Sequence, residues 1–160
     1  MIAKEKLNIL WSLEQTAEKY ADRVAVSDVN QELTWKELVK KAQIIGAELS
    51  EKVQPGNPVP VLLEKSSETL AVMLGIVYAG CFYVPVNPMN PTERLRKIME
   101  KLDPEVIISD EKGKEQLAAI GNGLENKVMG PEALKTATGT ELSEEQYSRL
   151  EQIQGPVSYT

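Results

Sequence analysis

Between Thr69 and Thr92 the chain carries no charged residue, and this stretch limits the fold more than any other. Leu70 to Val86 is mostly apolar but is divided by Gly75, Gly80 and Pro85. An apolar helix ending at Ala79, a glycine stop and a short strand from Phe82 to Val86 account for the pattern. Gly80 suits the left-handed position that ends helices. A helix apolar nearly all round is a buried helix, and the aromatic-rich strand after it reads as buried too. Pro88-Met89-Asn90 makes a turn. Asn90 as cap, with Pro91 at the first helical position, then opens a helix whose inner face is Leu95, Ile98, Met99 and Leu102. As a membrane span the stretch is barely long enough, since a crossing takes about 17–25 apolar residues. Its glycines and proline favour a helix and a strand in a water-soluble core.

The same alternation extends to both sides. Val59 to Leu63 is a continuous apolar strand, the pattern of a parallel strand covered on two faces. Pro60 counts against a central place for it, unless it sits at the strand's start. Val106-Ile107-Ile108-Ser109-Asp110 is a further strand. Strands and helices alternating from Val59 to Asp110 imply a largely parallel sheet with helices on both faces, an α/β fold. Upstream, Asn8 caps a helix through about Tyr20 with Leu10, Leu13 and Ala17 on one side. Val24-Ala25-Val26 and Glu32-Leu33-Thr34 flank the turn at Asn30-Gln31 and predict a hairpin. Thr34-Trp35-Lys36-Glu37 is a capping box, opening a helix that buries Trp35, Leu38, Ala42, Ile45 and Leu49. Downstream lie a helix over Lys114 to Ile120, a short strand at Lys127-Val128-Met129, a short helix from Pro131 to Ala137 and a loop at Thr138-Gly139-Thr140. A second capping box at Ser143 and Gln146 places Tyr147, Leu150 and Ile153 inward. No repeat or linker interrupts residues 1–160, which read as a single α/β domain.

Composition removes several classes of function. The net charge of −6 argues against nucleic acid as a partner, because phosphate binding needs clustered Lys and Arg. The chain of 160 residues has no histidine, so no Ser-His-Asp triad and no His metal site can form within it. A single cysteine, Cys81, permits neither an internal disulfide nor a multi-cysteine zinc site. With no charged neighbour in sequence it reads as a packed thiol. Neither a secretory signal nor a membrane span is visible, so a cytoplasmic location is expected.

Polar candidates for a site sit at strand ends, where open parallel sheets bind ligands. They are Glu64-Lys65-Ser66-Ser67, Asn87 and Ser109-Asp110. Ser66 and Ser67 are also plain helix caps, and Asp110 a plain strand-end turn residue. Gly121-Asn122-Gly123 follows a helix and lacks the third small residue of a dinucleotide loop. Lys112-Gly113-Lys114 lacks the flanking residues of a P-loop. No catalytic, cofactor-binding or metal-binding residue is assigned.

Two segments resemble the first core motifs of the adenylate-forming, AMP-binding enzymes. Leu33-Thr34-Trp35-Lys36-Glu37-Leu38 stands where amino-acid adenylation domains carry Leu-Thr-Tyr-x-Glu-Leu. Val77-Tyr78-Ala79-Gly80-Cys81-Phe82-Tyr83-Val84-Pro85-Val86-Asn87 is similar to Leu-Lys-Ala-Gly-x-Ala-Tyr-Val-Pro-Leu-Asp. Pro91-Thr92-Glu93-Arg94-Leu95 follows in the expected order. Val157-Ser158-Tyr159-Thr160 is similar to the entry of the third motif, either as its Leu-Ala-Tyr-x or with Tyr159-Thr160 as its later Tyr-Thr. The superfamily includes adenylation domains of nonribosomal peptide synthetases, D-alanine ligases and acyl-CoA synthetases. The resemblance implies the N-terminal part of a ligase that uses ATP and Mg²⁺ to make an acyl-adenylate, with an amino acid as the preferred substrate. It implies that the phosphate loop and catalytic lysine lie further along, so that these residues alone are inactive and hold no cofactor. Implied partners are the remainder of the adenylation domain and, for the whole enzyme, a carrier-protein or coenzyme A thiol. Standing alone, the chain would leave apolar surface bare and self-associate. An acyl-CoA synthetase fragment and a non-enzymatic protein-interaction module are the alternatives.

Overall fold

The computed structural model describes residues 9–135 and 142–153. Asn8, the loop Thr138-Gly139-Thr140 and the motif entry at Val157-Ser158-Tyr159-Thr160 lie outside the described residues. The chain opens with α1 (Ile9–Lys19), β1 (Val24–Ser27), β2 (Glu32–Thr34) and α2 (Trp35–Ser50). Then come β3 (Pro58–Leu62), α3 (Ser67–Tyr78), β4 (Phe82–Pro85), α4 (Thr92–Leu102), β5 (Ile107–Ser109) and α5 (Glu111–Ile120). A 3-10 turn at Leu124–Lys127 leads to β6 (Val128–Met129), α6 (Pro131–Lys135) and α7 (Glu144–Ile153). β1 and β2 pair as an antiparallel hairpin. The other strands form one parallel sheet in the order β4-β3-β5-β6.

Strand periodicity divides the apolar residues between two layers. Val59, Val61 and Ile108 face a core built with α1, α2 and α3. Leu62, Ile107 and Val86 face a second core with Leu95, Met99 and Leu117 of α4 and α5. Helices therefore cover both faces, as the alternation predicts. The ends of the elements follow local chemistry. The Thr34 amide donates to Glu37 Oε2 at 2.8 Å, and the Glu37 amide donates to Thr34 Oγ1 at 3.3 Å, closing the predicted capping box. Gly80 has φ +77°, and the amides of Gly80 and Cys81 donate to the carbonyls of Val77 and Ile76. This satisfies the last turn of α3 and turns the chain into β4.

α2 and α3 lie against one another through two glycines. A methyl group on Gly75 would sit 2.4 Å from Ile45 Cγ2 and 3.1 Å from the Ala42 carbonyl oxygen. One on Gly46 would sit 2.5 Å from Tyr78 Cβ. The helix that covers the sheet is thus held at a distance only glycine allows.

Several sequence expectations need correction. β4 is not a buried strand: it is the edge of the sheet, with Phe82, Tyr83 and Pro85 exposed. β3, despite Pro60 at its middle, is central. The carbonyls of Asn57 and Val61 accept from β4, so by alternation Pro60 faces β5, whose ladder begins only at Val61. The missing amide therefore costs no sheet hydrogen bond. α4 starts at Thr92 with Pro91 as its cap residue, and Asn90 instead closes a turn on the Asn87 carbonyl. α5 starts earlier than Lys114, because Asp110 caps it through the Gly113 amide at 2.8 Å. Trp35 is only partly buried.

Candidate functional site

The polar residues at the carboxyl ends of the strands are consumed by the fold. Ser66 Oγ accepts from the Thr69 amide at 3.1 Å and caps α3. Thr69 Oγ1 in turn donates to the Glu64 carbonyl at 2.6 Å. Glu64 and Lys65 are exposed. Asn87 Oδ1 accepts from the Met89 amide at 2.9 Å, a turn within its own segment. Ser109 is buried and donates to the Asp110 carbonyl, while Asp110 caps α5. The register carries Asn87 and Asp110 to the same end of the sheet as Glu64 to Ser67, but the side-chain bonds of Ser66, Asn87 and Asp110 each stay within their own segment. The plain cap-and-turn reading accounts for Ser66, Asn87 and Asp110.

The N-terminus of α3 is the position most like a ligand site, since helix N-termini attract anions. It already holds one. Asp28, in the hairpin turn, accepts from the Ser67 amide at 2.8 Å and the Ser67 hydroxyl at 2.7 Å through Oδ2. Its other oxygen accepts from the amides of Asn30 and Gln31. These bonds, the Ser67 hydroxyl first, hold the Asp28 carboxyl well below its ordinary value of 3.8. Gln31 Nε2 donates to Ser67 Oγ and to Glu68 Oε1, and Lys41 pairs with Glu68. The hairpin is thereby locked to α3, and a phosphate arriving at that end would meet a carboxylate in its place. Sequence reasoning missed Asp28. An aspartate two residues before Asn30 signals the turn, but nothing local signals Ser67.

A second polar cluster is buried between helices. Glu14 Oε1 accepts from Tyr78 Oη at 2.9 Å, Tyr147 Oη at 3.2 Å and Gln43 Nε2 at 3.3 Å. Gln43 Nε2 also lies 2.6 Å from Tyr147 Oη. Burial, with the Glu14 charge adding, pushes the Tyr78 phenol far above its ordinary value of 10.0, so it stays a donor. Gln146 Nε2 donates to Ser50 Oγ at 2.7 Å. The cluster joins α1, α2, α3 and α7 through bonds among its own side chains, so its chemistry is that of a clasp. Its signal was readable: Glu14 lies within the apolar stripe of Leu10, Leu13 and Ala17.

Cys81 is a structural thiol. It is buried, its Sγ lies 3.4 Å from the Gln54 carbonyl, and burial pushes it up to about 11. Among the described residues no group of His, Cys, Asp and Glu could hold a metal ion. No helix among them is long and apolar enough to cross a membrane. Gly121, Asn122 and Gly123 all have positive φ in the turn that leaves α5, a loop after a helix as the sequence indicates.

The family model described as AMP-binding enzyme matches residues 13–156. The chain belongs to the AMP-binding enzyme family. It is similar to a mycosubtilin synthase polypeptide of Bacillus subtilis, 35% identical over 144 residues, which is 89% of this chain and 5% of the synthase polypeptide. Its fold is similar to the Klebsiella oxytoca NpsA N-terminal subdomain solved in complex with 3-hydroxybenzoyl-AMSN. That likeness has a TM-score of 0.72 at 20% identity and covers 85% of this chain and 33% of the NpsA chain. ATP-bound MatB from Rhodopseudomonas palustris gives a TM-score of 0.71 at 25% identity, over 84% of this chain and 28% of MatB. As an AMP-binding family member, the chain thus corresponds to the N-terminal part of an adenylate-forming domain and spans a third or less of these relatives. The capping box at Thr34 and the α3–Gly80–β4 turn are the physical content of its two motif segments.

Proposed function

We propose that this chain is the N-terminal frame of an amino-acid-activating adenylation domain and activates no acid by itself. The whole domain would react a carboxylic acid with ATP to give an acyl-adenylate and pyrophosphate, then pass the acyl group to a carrier-protein thiol with release of AMP. The observation that carries the reading is the use of Ser66, Ser67, Asn87 and Asp110 as caps, ties and turns within a frame that matches the family from residue 13 to 156. Among the described residues the α3 N-terminus is filled by Asp28 and no group of His, Cys, Asp and Glu suits a metal, which supports placing the ATP and Mg²⁺ contacts outside them. In this reading the nucleotide contacts belong to the rest of the domain. Similarity to a peptide synthase over 89% of the chain favours an amino acid over a fatty acid bound for coenzyme A. Residues 1–160 act as one α/β unit in this reading, and the free thiol of Cys81 suits the cytoplasm.

Transplantation tests this. The chain replaces its matching segment in the mycosubtilin synthase polypeptide, and amino-acid-dependent ATP–pyrophosphate exchange is measured. Exchange by a folded chimera is expected. A folded chimera that turns over only non-amino carboxylic acids, or none, overturns the reading.

A further inference from the structure

We infer that Asn122 is a self-modifying site, at which the folded chain converts asparagine to aspartate and isoaspartate without an enzyme. The inference is independent of the proposed function. Asn122-Gly123 is the one Asn-Gly step in the sequence. Conversion starts when the Gly123 amide gives up its proton and its nitrogen attacks Asn122 Cγ. The new C–N bond expels the side-chain nitrogen as ammonia and leaves a cyclic imide. Water then opens the imide. Breaking the bond to Cγ gives aspartate, and breaking the bond to the main-chain carbonyl carbon gives isoaspartate. Nothing is oxidised or reduced, and water is the one co-reactant. Either product adds a negative charge to a chain already at −6, and isoaspartate also lengthens the main chain by a methylene.

The fold singles this asparagine out from the others. Asn57, Asn87 and Asn90 each precede a proline, which has no amide proton to lose. The amide after Asn30 is held, since Gln31 donates it to Asp28 Oδ1 at 3.0 Å. Asn8 precedes the β-branched Ile9, which crowds the attack. Asn126 lies inside the 3-10 turn, with its own amide donating to the Gly123 carbonyl at 3.1 Å. Asn122, by contrast, is exposed in the loop that leaves α5. Among the described residues no hydrogen bond holds its side chain or the Gly123 amide. The space around the loop is open. A carbon added at Gly123 would meet the Asn126 side-chain nitrogen at 3.5 Å, and one added at Gly121 would meet nothing within 4 Å. Attack requires the main chain to turn the Gly123 nitrogen toward the Asn122 side chain, and a glycine on either side lets it turn at low steric cost. The tie that must give is weak, because the Leu124 amide reaches the Gly121 carbonyl only at 3.5 Å. Leu117 and Leu124 are buried in the second core on either side of the loop, so the opening stays local.

Ageing the purified 160-residue chain tests the inference. Samples are held at neutral and at mildly alkaline pH, folded or unfolded in urea, and peptide mapping by mass spectrometry follows every asparagine. Asn122 should convert before any other, to a mixture of aspartate and isoaspartate that an isoaspartyl-specific carboxyl methyltransferase labels. Conversion should be faster at the higher pH, because the attacking nitrogen must first lose its proton. The folded chain should convert within about tenfold of the unfolded rate, since the loop opens without global unfolding. Asn122→Gln should remove the more acidic form that accumulates on isoelectric focusing, and Gly123→Ala should slow its appearance. A folded rate further below the unfolded one would show that the fold protects the loop, and overturns the inference. So does earlier conversion at another asparagine, or an acidic form that accumulates undiminished in Asn122→Gln.

Discussion

Adding one methyl group at Gly75 should destabilise the protein, although helix propensity predicts the reverse. Alanine in place of glycine inside a helix normally stabilises by roughly 0.5–1 kcal/mol. At Gly75 the new carbon would meet Ile45 Cγ2 at 2.4 Å, Ile45 Cβ at 2.7 Å and the Ala42 carbonyl oxygen at 3.1 Å. Comfortable carbon contacts lie near 3.5–4.0 Å, so the deficit is about 1 Å. Ile45 is buried, and its Cβ is fixed to α2. Relief therefore requires α2 and α3 to separate, loosening the core around Ala42, Leu49 and Val72. Overpacking of this kind costs about 1–3 kcal/mol. Less the propensity gain, Gly75→Ala should lose about 1–2 kcal/mol, a fall of roughly 2–8 °C in melting temperature at this size. Gly46→Ala should behave alike, since its methyl would sit 2.5 Å from Tyr78 Cβ. The double variant should lose less than the sum, because one separation of the helices relieves both contacts. Urea unfolding followed by circular dichroism reads all three. A single alanine variant as stable as the parent, or more stable, refutes the close-contact reasoning.

Gly80→Ala should cost on the order of 1 kcal/mol in the same assay, because φ is +77° there, and a β-branched residue should cost more. Tyr147→Phe should cost about 1 kcal/mol by removing a donor from buried Glu14, and should speed amide exchange in α7 relative to α2. The depressed carboxyl of Asp28 contributes stability above its unfolded value near 3.8, and this is lost as pH falls toward its lower folded value. Asp28→Asn should therefore lose stability at pH 7 and show a flatter acid limb below about pH 4 than the parent. An equally steep limb would show that the tie to Ser67 does not hold the hairpin.

The layers were legible because they are written locally. Thr34 and Glu37 specify one helix start, Gly80 one helix end, and the uninterrupted apolar residues of β3 and α3 the two-sided core. What escaped was decided between distant segments. Pro60 argued against a central strand, yet its outcome depended on where the β5 ladder begins. Phe82 to Val86 has the composition of an interior strand, and no local rule says that β4 lies at the edge. Gly46 and Gly75 are far apart in sequence and come near one another only when α2 and α3 pack. Asp28 and Ser67 are likewise joined only by the packing of the hairpin on α3. Ser66 and Asp110 lie at strand ends, but their side chains cap α3 and α5, and Asn87 closes a turn on Met89.

ATP–pyrophosphate exchange by the purified 160-residue protein, across a panel of amino acids and other carboxylic acids, tests the central claim most directly. The account predicts no exchange above the enzyme-free control with any acid, from a protein whose circular dichroism shows the α/β fold intact. Acid-dependent exchange by this chain alone would place a nucleotide site within these residues and contradict the account.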